Sequence, residues 1–139
     1  MSRKPVPPTD PRVAAVPVRE SGDRLVDVAA SAPLRVTAPA LLRFGVVERL
    51  VIAQSALPRD VRLVVVAGHS SAPTHASGAT VDVTLVRDDD ALPDLPLLTG
   101  ALAGAGLVAW APCWWRWSYG DQVWAYVMRA PHARYGPLP

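Results

Sequence analysis

Apolar positions recur at three- and four-residue spacing from Leu42 through Val46, Leu50 and Ala53 to Leu57, the period of one helical face. Arg43, Glu48, Arg49 and Gln54 fall on the other faces. Thr37-Ala-Pro-Ala offers a capping hydroxyl and an early proline ahead of this run, and Pro58 ends it. The pattern predicts one amphipathic helix of about five turns. Arg62 to Ala67 is a short continuous run of mostly β-branched residues, as in a buried central strand. Ala79 to Arg87 alternates instead, with Thr80, Asp82 and Thr84 on one face and Val81, Val83 and Leu85 on the other. Between these strands runs a Ser-, Ala-, Pro- and His-containing loop, Gly68 to Gly78.

The rest of the chain is less periodic. Leu25–Val28 predicts a first strand after a Ser-Gly-Asp turn. Leu95–Ala105 predicts a short helix, weakened by Gly100 and Gly104 and ended at Gly106. Leu107–Pro112 and Gln122–Arg129 predict two more strands, with Ser118-Tyr-Gly-Asp121 as the turn into the last. Asp88-Asp-Asp90 is expected as a solvated turn, Pro131–Pro139 as loop, and residues 1–17 as a flexible, proline-rich tail. The sum is a single α+β domain over residues 18–139, with a mainly antiparallel sheet, one long helix and one short one.

Composition narrows the function. Half of the 139 residues are apolar, enough for a real core, and the net charge is only +2. No basic stripe or apolar run of membrane-spanning length is present, so neither a nucleic acid nor a membrane is expected as partner. A single cysteine and an N-terminus without an apolar leader point to a reducing, cytoplasmic setting. The oligomeric state is left open.

Two stretches carry the candidate chemistry. His75-Ala-Ser-Gly-Ala-Thr-Val-Asp82 sets an imidazole in a loop and a carboxylate on the following strand, with Gly78 permitting the turn that brings them to one side. Such a pair can ligate zinc, yet a catalytic zinc usually takes three protein ligands and an open position. Pro112-Cys-Trp-Trp-Arg-Trp-Ser-Tyr-Gly120 holds three of the five tryptophans, the only cysteine and Arg116. Most of the tryptophans are expected in the core.

Together these stretches resemble the D-alanyl-D-alanine dipeptidase family, the zinc peptidases of the vancomycin-resistance type with the hedgehog/DD-peptidase fold. The likeness extends from Val18-Arg-Glu-Ser-Gly-Asp-Arg-Leu-Val-Asp27 through Val46-Val-Glu-Arg-Leu-Val51 and Leu63-Val-Val-Val-Ala-Gly68. His75, Gly78 and Asp82 fit the family's His-x-x-Gly-x-Ala-x-Asp motif, and Trp114-Trp115 with Trp117-Ser-Tyr-Gly-Asp121 fits its Glu-Trp-Trp-His-Trp-Ser-Tyr-Gly-Asp segment. The resemblance implies that His75 and Asp82 occupy two zinc-ligand positions. It also implies that Cys113 stands where the general base belongs and Arg116 where the third ligand belongs. The family's transition-state arginine is missing: Gly68-His69-Ser70 replaces its Gly-Tyr-Arg.

These departures have physical consequences. A guanidinium is always protonated and has no lone pair for zinc, so Arg116 is expected to pair with Asp82 in the metal's place. Cys113 has three readings: a small core residue, a substitute ligand beside His75 and Asp82, or a nucleophile served by His75, Asp82 and Arg116. His69 is either a solvated loop residue or a substitute acid, base or ligand. Trp114, Trp115 and Tyr119 are candidates for substrate binding. The first expectation is a repurposed, metal-independent enzyme acting on a small peptide-like or carbonyl-containing metabolite, for example in a cyclisation or isomerisation, with no cofactor. The alternatives are an inactive binding protein and a residual zinc dipeptidase with substitute ligands.

Overall fold

The computed structural model describes residues 3–31, 33–89, 94–110 and 112–139. It is an α+β domain. Five strands form the main sheet in the order β2-β4-β5-β7-β6, where β2 is Arg35–Val36, β4 Val61–Ala67, β5 Thr80–Arg87, β6 Val108–Trp110 and β7 Cys113–Ser118. Within this sheet, among the described residues, β2–β4 is parallel and the other pairings are antiparallel. A small antiparallel ribbon joins β1, Leu25–Asp27, to β3, Leu41–Arg43. The helices are α1, Pro11–Ala14; α2, Phe44–Ser55; α3, Leu95–Gly104; and α4, Gln122–Met128. Asp90 of the expected acidic turn and Ala111 of the expected strand lie outside the described residues.

The alternation of β5 sorts the two faces of the sheet. Val81, Val83 and Leu85, with Leu63 and Val65 of β4, join the main core with Val46, Leu50 and Ala53 of α2 and Leu98 and Leu102 of α3. Thr80, Asp82 and Thr84 face the other way, so that face is free to carry polar chemistry. Near β6, Val108 and Trp110 are covered by Val13 of α1 and by Val123, Tyr126 and Val127 of α4. Gln54 is buried, not on a solvated helix face, because β4 has a gap to fill. Strand β2 reaches only Val64 and Val65, and the Gln54 amide bonds Val61 O at 3.0 Å and Leu63 N at 2.8 Å.

Three expectations change. The long helix begins at Phe44, not at Thr37, and spans 12 residues. Leu41–Arg43 pairs with β1 instead, and Asp23 supplies the helix start with a side-chain acceptor for Gly45 N at 3.3 Å. The expected strand Gln122–Arg129 is α4, because Asp121 caps it through Trp124 N at 2.9 Å. There are accordingly four α-helices among the described residues where two were expected. Within residues 1–17, α1 buries Val13, and Arg3 lies over the Tyr126 ring. The C-terminal loop also packs: Ala133 bridges to Val18, and Tyr135 is 1% exposed. No helix among the described residues is long and apolar enough to cross a membrane.

Candidate functional site

The loop between β4 and β5 is held at both ends by β3. Leu41 O accepts from His69 N at 2.8 Å, and Arg43 N donates to Gly78 O at 2.9 Å. Gly78 has φ +71°, a left-handed conformation that strains other residues, and a Cβ there would also displace the end of the Leu25 side chain, 2.6 Å away. The Arg43 guanidinium, 1% exposed, donates to Ser77 O at 2.7 Å, to both Glu20 carboxylate oxygens, to Asp23 O and to Gly136 O. All five of its N–H groups are thereby used. Arg43 ties the candidate-site loop to both terminal segments of the domain.

That loop delivers His75 to Asp82. His75 Nε2 lies 3.1 Å from Asp82 Oδ1, and Nδ1 lies 2.8 Å from Thr74 Oγ1. From the neighbouring strand, Arg116 is in direct register with Asp82. Its Nε reaches Oδ1 at 2.9 Å and its Nη2 reaches Oδ2 at 3.3 Å. The Arg116 guanidinium also sits over the Trp110 ring, 5.6 Å from its centre. Burial pushes the Asp82 carboxyl up, but the hydrogen bonds from His75 and Arg116 outweigh it and hold the group below its ordinary value. Asp82 is therefore an acceptor-only carboxylate, so His75 Nε2 carries a proton toward it. In the tautomer protonated at Nε2 alone, Nδ1 accepts from the Thr74 hydroxyl.

The zinc ligand set that the resemblance implies does not fit these residues. Both Asp82 oxygens accept from Arg116, and among the described residues no three His, Cys, Asp or Glu side chains converge. Cys113 pairs across β6 with Trp110 and lines a recess of about 270 Å³ with Pro5, Pro112 and Trp114. No described hydrogen bond joins its sulfur to His75. His69 lines a separate cleft of about 560 Å³ with Glu20, Arg24 and Leu138. Trp114 and Trp115 are exposed, edge to face at 5.5 Å. Tyr119 is buried in the main core, where its hydroxyl accepts from Arg49 at 3.2 Å. The structure thus brings His75, Asp82 and Arg116 together by hydrogen bonds, sets Cys113 within electrostatic reach of Arg116 without a described bond to His75, and places His69 and Tyr119 in other surroundings.

Three groups beside the site escaped sequence reasoning. Thr74 hydrogen-bonds the histidine directly. Thr80 and Ser118, in register next to the Asp82–Arg116 pair, both donate to Asp121 Oδ2, at 3.0 and 2.7 Å. Trp110 Nε1 donates to Ser118 Oγ at 2.6 Å, which connects this network to the ring beneath Arg116. Complete burial pushes the Asp121 carboxyl up. The strand alternation already set Thr80 on the Asp82 face, but the turn that carries Asp121 back under it was not visible in the pattern. No protein-family model matches this chain, and neither does any curated protein.

Proposed function

We propose that this chain is a metal-independent enzyme built on the D-alanyl-D-alanine dipeptidase architecture, acting on a small peptide-like or carbonyl-containing metabolite. In this reading Arg116 supplies the positive charge that zinc supplies in the peptidases. Asp82 orients His75, and His75 moves the proton. The observation that carries the reading is the Arg116–Asp82–His75 chain of contacts, at 2.9 and 3.1 Å. It compensates the carboxylate without a metal while leaving one imidazole nitrogen off the carboxylate, available as a base. The thiol at Cys113 has no such contact, which disfavours it as the group His75 serves.

Elemental analysis of protein purified without chelator, then incubated with zinc and desalted, tests the metal-free part. Zinc far below one per chain is expected. A stoichiometry near one returns the residual dipeptidase to the front. Screening small amides, esters and carbonyl compounds with native protein and with His75→Ala tests the catalytic part. Turnover confined to the native protein is expected, and turnover independent of His75 removes this reading.

A further inference from the structure

We propose that the Thr74 hydroxyl is a nucleophile for acyl transfer from short-chain esters, activated by His75. This deepens the function proposed above and rests on its assignment of His75 as the base. Three observations carry it. First, Thr74 Oγ1, His75 and Asp82 Oδ1 form a continuous hydroxyl–imidazole–carboxylate chain, with links of 2.8 and 3.1 Å. These lengths lie within the reach that nucleophile, base and orienter require. Second, the exposure is graded correctly. His75 is 6% exposed and Asp82 is screened by Arg116, whereas Thr74 is only half-buried. A dry base therefore stands behind a reachable hydroxyl. Third, Thr74 lines a cleft of about 120 Å³ with Pro73, Ser77, Trp110, Gln122 and Tyr135.

The cleft limits the substrate. An acyl group of a few heavy atoms fits this space, with the remainder of the ester extending out of its open side. Val13 and Pro8 from the N-terminal segment close part of its wall, favouring an acetyl-like group over a charged one. The step balances without an oxidant or a metal. Thr74 Oγ attacks the ester carbonyl carbon as its proton passes to His75 Nδ1. The carbonyl carbon–oxygen bond to the leaving alcohol breaks, and that oxygen takes the proton from His75. Water then gives a proton to His75 and its oxygen to the acyl carbon. Thr74 Oγ is released and recovers its proton, so the net reaction is ester plus water to acid plus alcohol. Asp82 stays ionised throughout and stabilises the transient imidazolium, while Arg116 keeps Asp82 in place.

The test uses the full chain with p-nitrophenyl acetate as probe, acid quench, and mass spectrometry at the intact and peptide levels. We expect one acetyl group at residue 74 in the native protein and in Thr74→Ser, and none there in Thr74→Val. Circular dichroism should show the same fold in all three. Release of p-nitrophenol should fall about 100-fold or more in Thr74→Val and return in Thr74→Ser. An acetyl group on Cys113 instead of Thr74, or no acetyl on Thr74 in the native protein, overturns the proposal. Turnover that survives Thr74→Val but disappears in His75→Ala overturns the nucleophile and leaves the base standing. Turnover that survives His75→Ala removes both.

Discussion

Arg116 decides what this site can hold. A metal ligand needs a lone pair, and a guanidinium offers none. Its position directly across from Asp82, with Nε at 2.9 Å, makes that carboxylate half of an ion pair. Replacing Arg116 by His removes that pair and adds an imidazole donor beside His75 and Asp82. We expect Arg116→His to bind zinc near one per chain where the native protein binds far less, read by elemental analysis after desalting. Equal, negligible zinc in both proteins would show that His75 and Asp82 are not arranged for a third ligand. The pairing of Arg116 with Asp82 was expected from the resemblance, which set Arg116 at the position of a third ligand. The Thr74 contact was not, because a residue next to a histidine can point anywhere until the loop conformation is known.

Helix α4 shows how a local preference loses. Val123-Trp-Ala-Tyr-Val127 is rich in β-branched and aromatic residues, which favour strands. Asp121 overrides that preference by capping Trp124 N, and Val123, Tyr126 and Val127 then fall on one face against Val108, Trp110 and Val13. The same carboxylate receives Thr80 and Ser118, so it joins the helix to the sheet beneath the site. Asp121→Ala should cost about 2 kcal/mol in urea unfolding, from the lost cap and two hydroxyls left without their acceptor. A loss within a few tenths of a kcal/mol would mean that water replaces the carboxylate. At α2 the reading of the period was right, but its start was not. The Thr37 hydroxyl that might have capped a helix precedes β3, whose pairing with β1 takes the chain first.

Across the whole molecule, Arg43 and Glu20 close the domain. Glu20 accepts from Arg43 through both oxygens and from Gly136 N at 3.0 Å, joining segments at opposite ends of the chain. The Arg43 hydrogen bond outweighs burial and holds the Glu20 carboxyl down at about 2 from an ordinary 4.5. A lowered folded-state value adds stability that is complete above the unfolded value and is lost as pH falls through the folded one. The thermal stability of the native protein should therefore fall as pH drops from about 4.5 to about 2. Glu20→Gln should start lower and lose less across the same window. Parallel curves for the two proteins would remove Glu20 from the account of acid stability.

By itself, the sequence determined what depends on neighbours along the chain. The period of α2, the alternation of β5 and the glycine at Gly78 fix a helix, a two-faced strand and a sharp loop wherever the chain folds. They also suffice to bring His75 and Asp82 to one side, because the motif spans a single turn. Tertiary structure decided what depends on partners far away. Arg43 reads as a surface residue of a helix until Glu20, Ser77 and Gly136 surround it. Gln54 reads likewise until the unfilled edge of β4 claims its amide. Cys113 reads as a partner for His75, yet strand pairing sets it opposite Trp110, and no described hydrogen bond joins it to the imidazole. The physical reason is the same in each case: a side chain's environment is set by the segment packed against it, and the sequence pattern alone does not specify that segment.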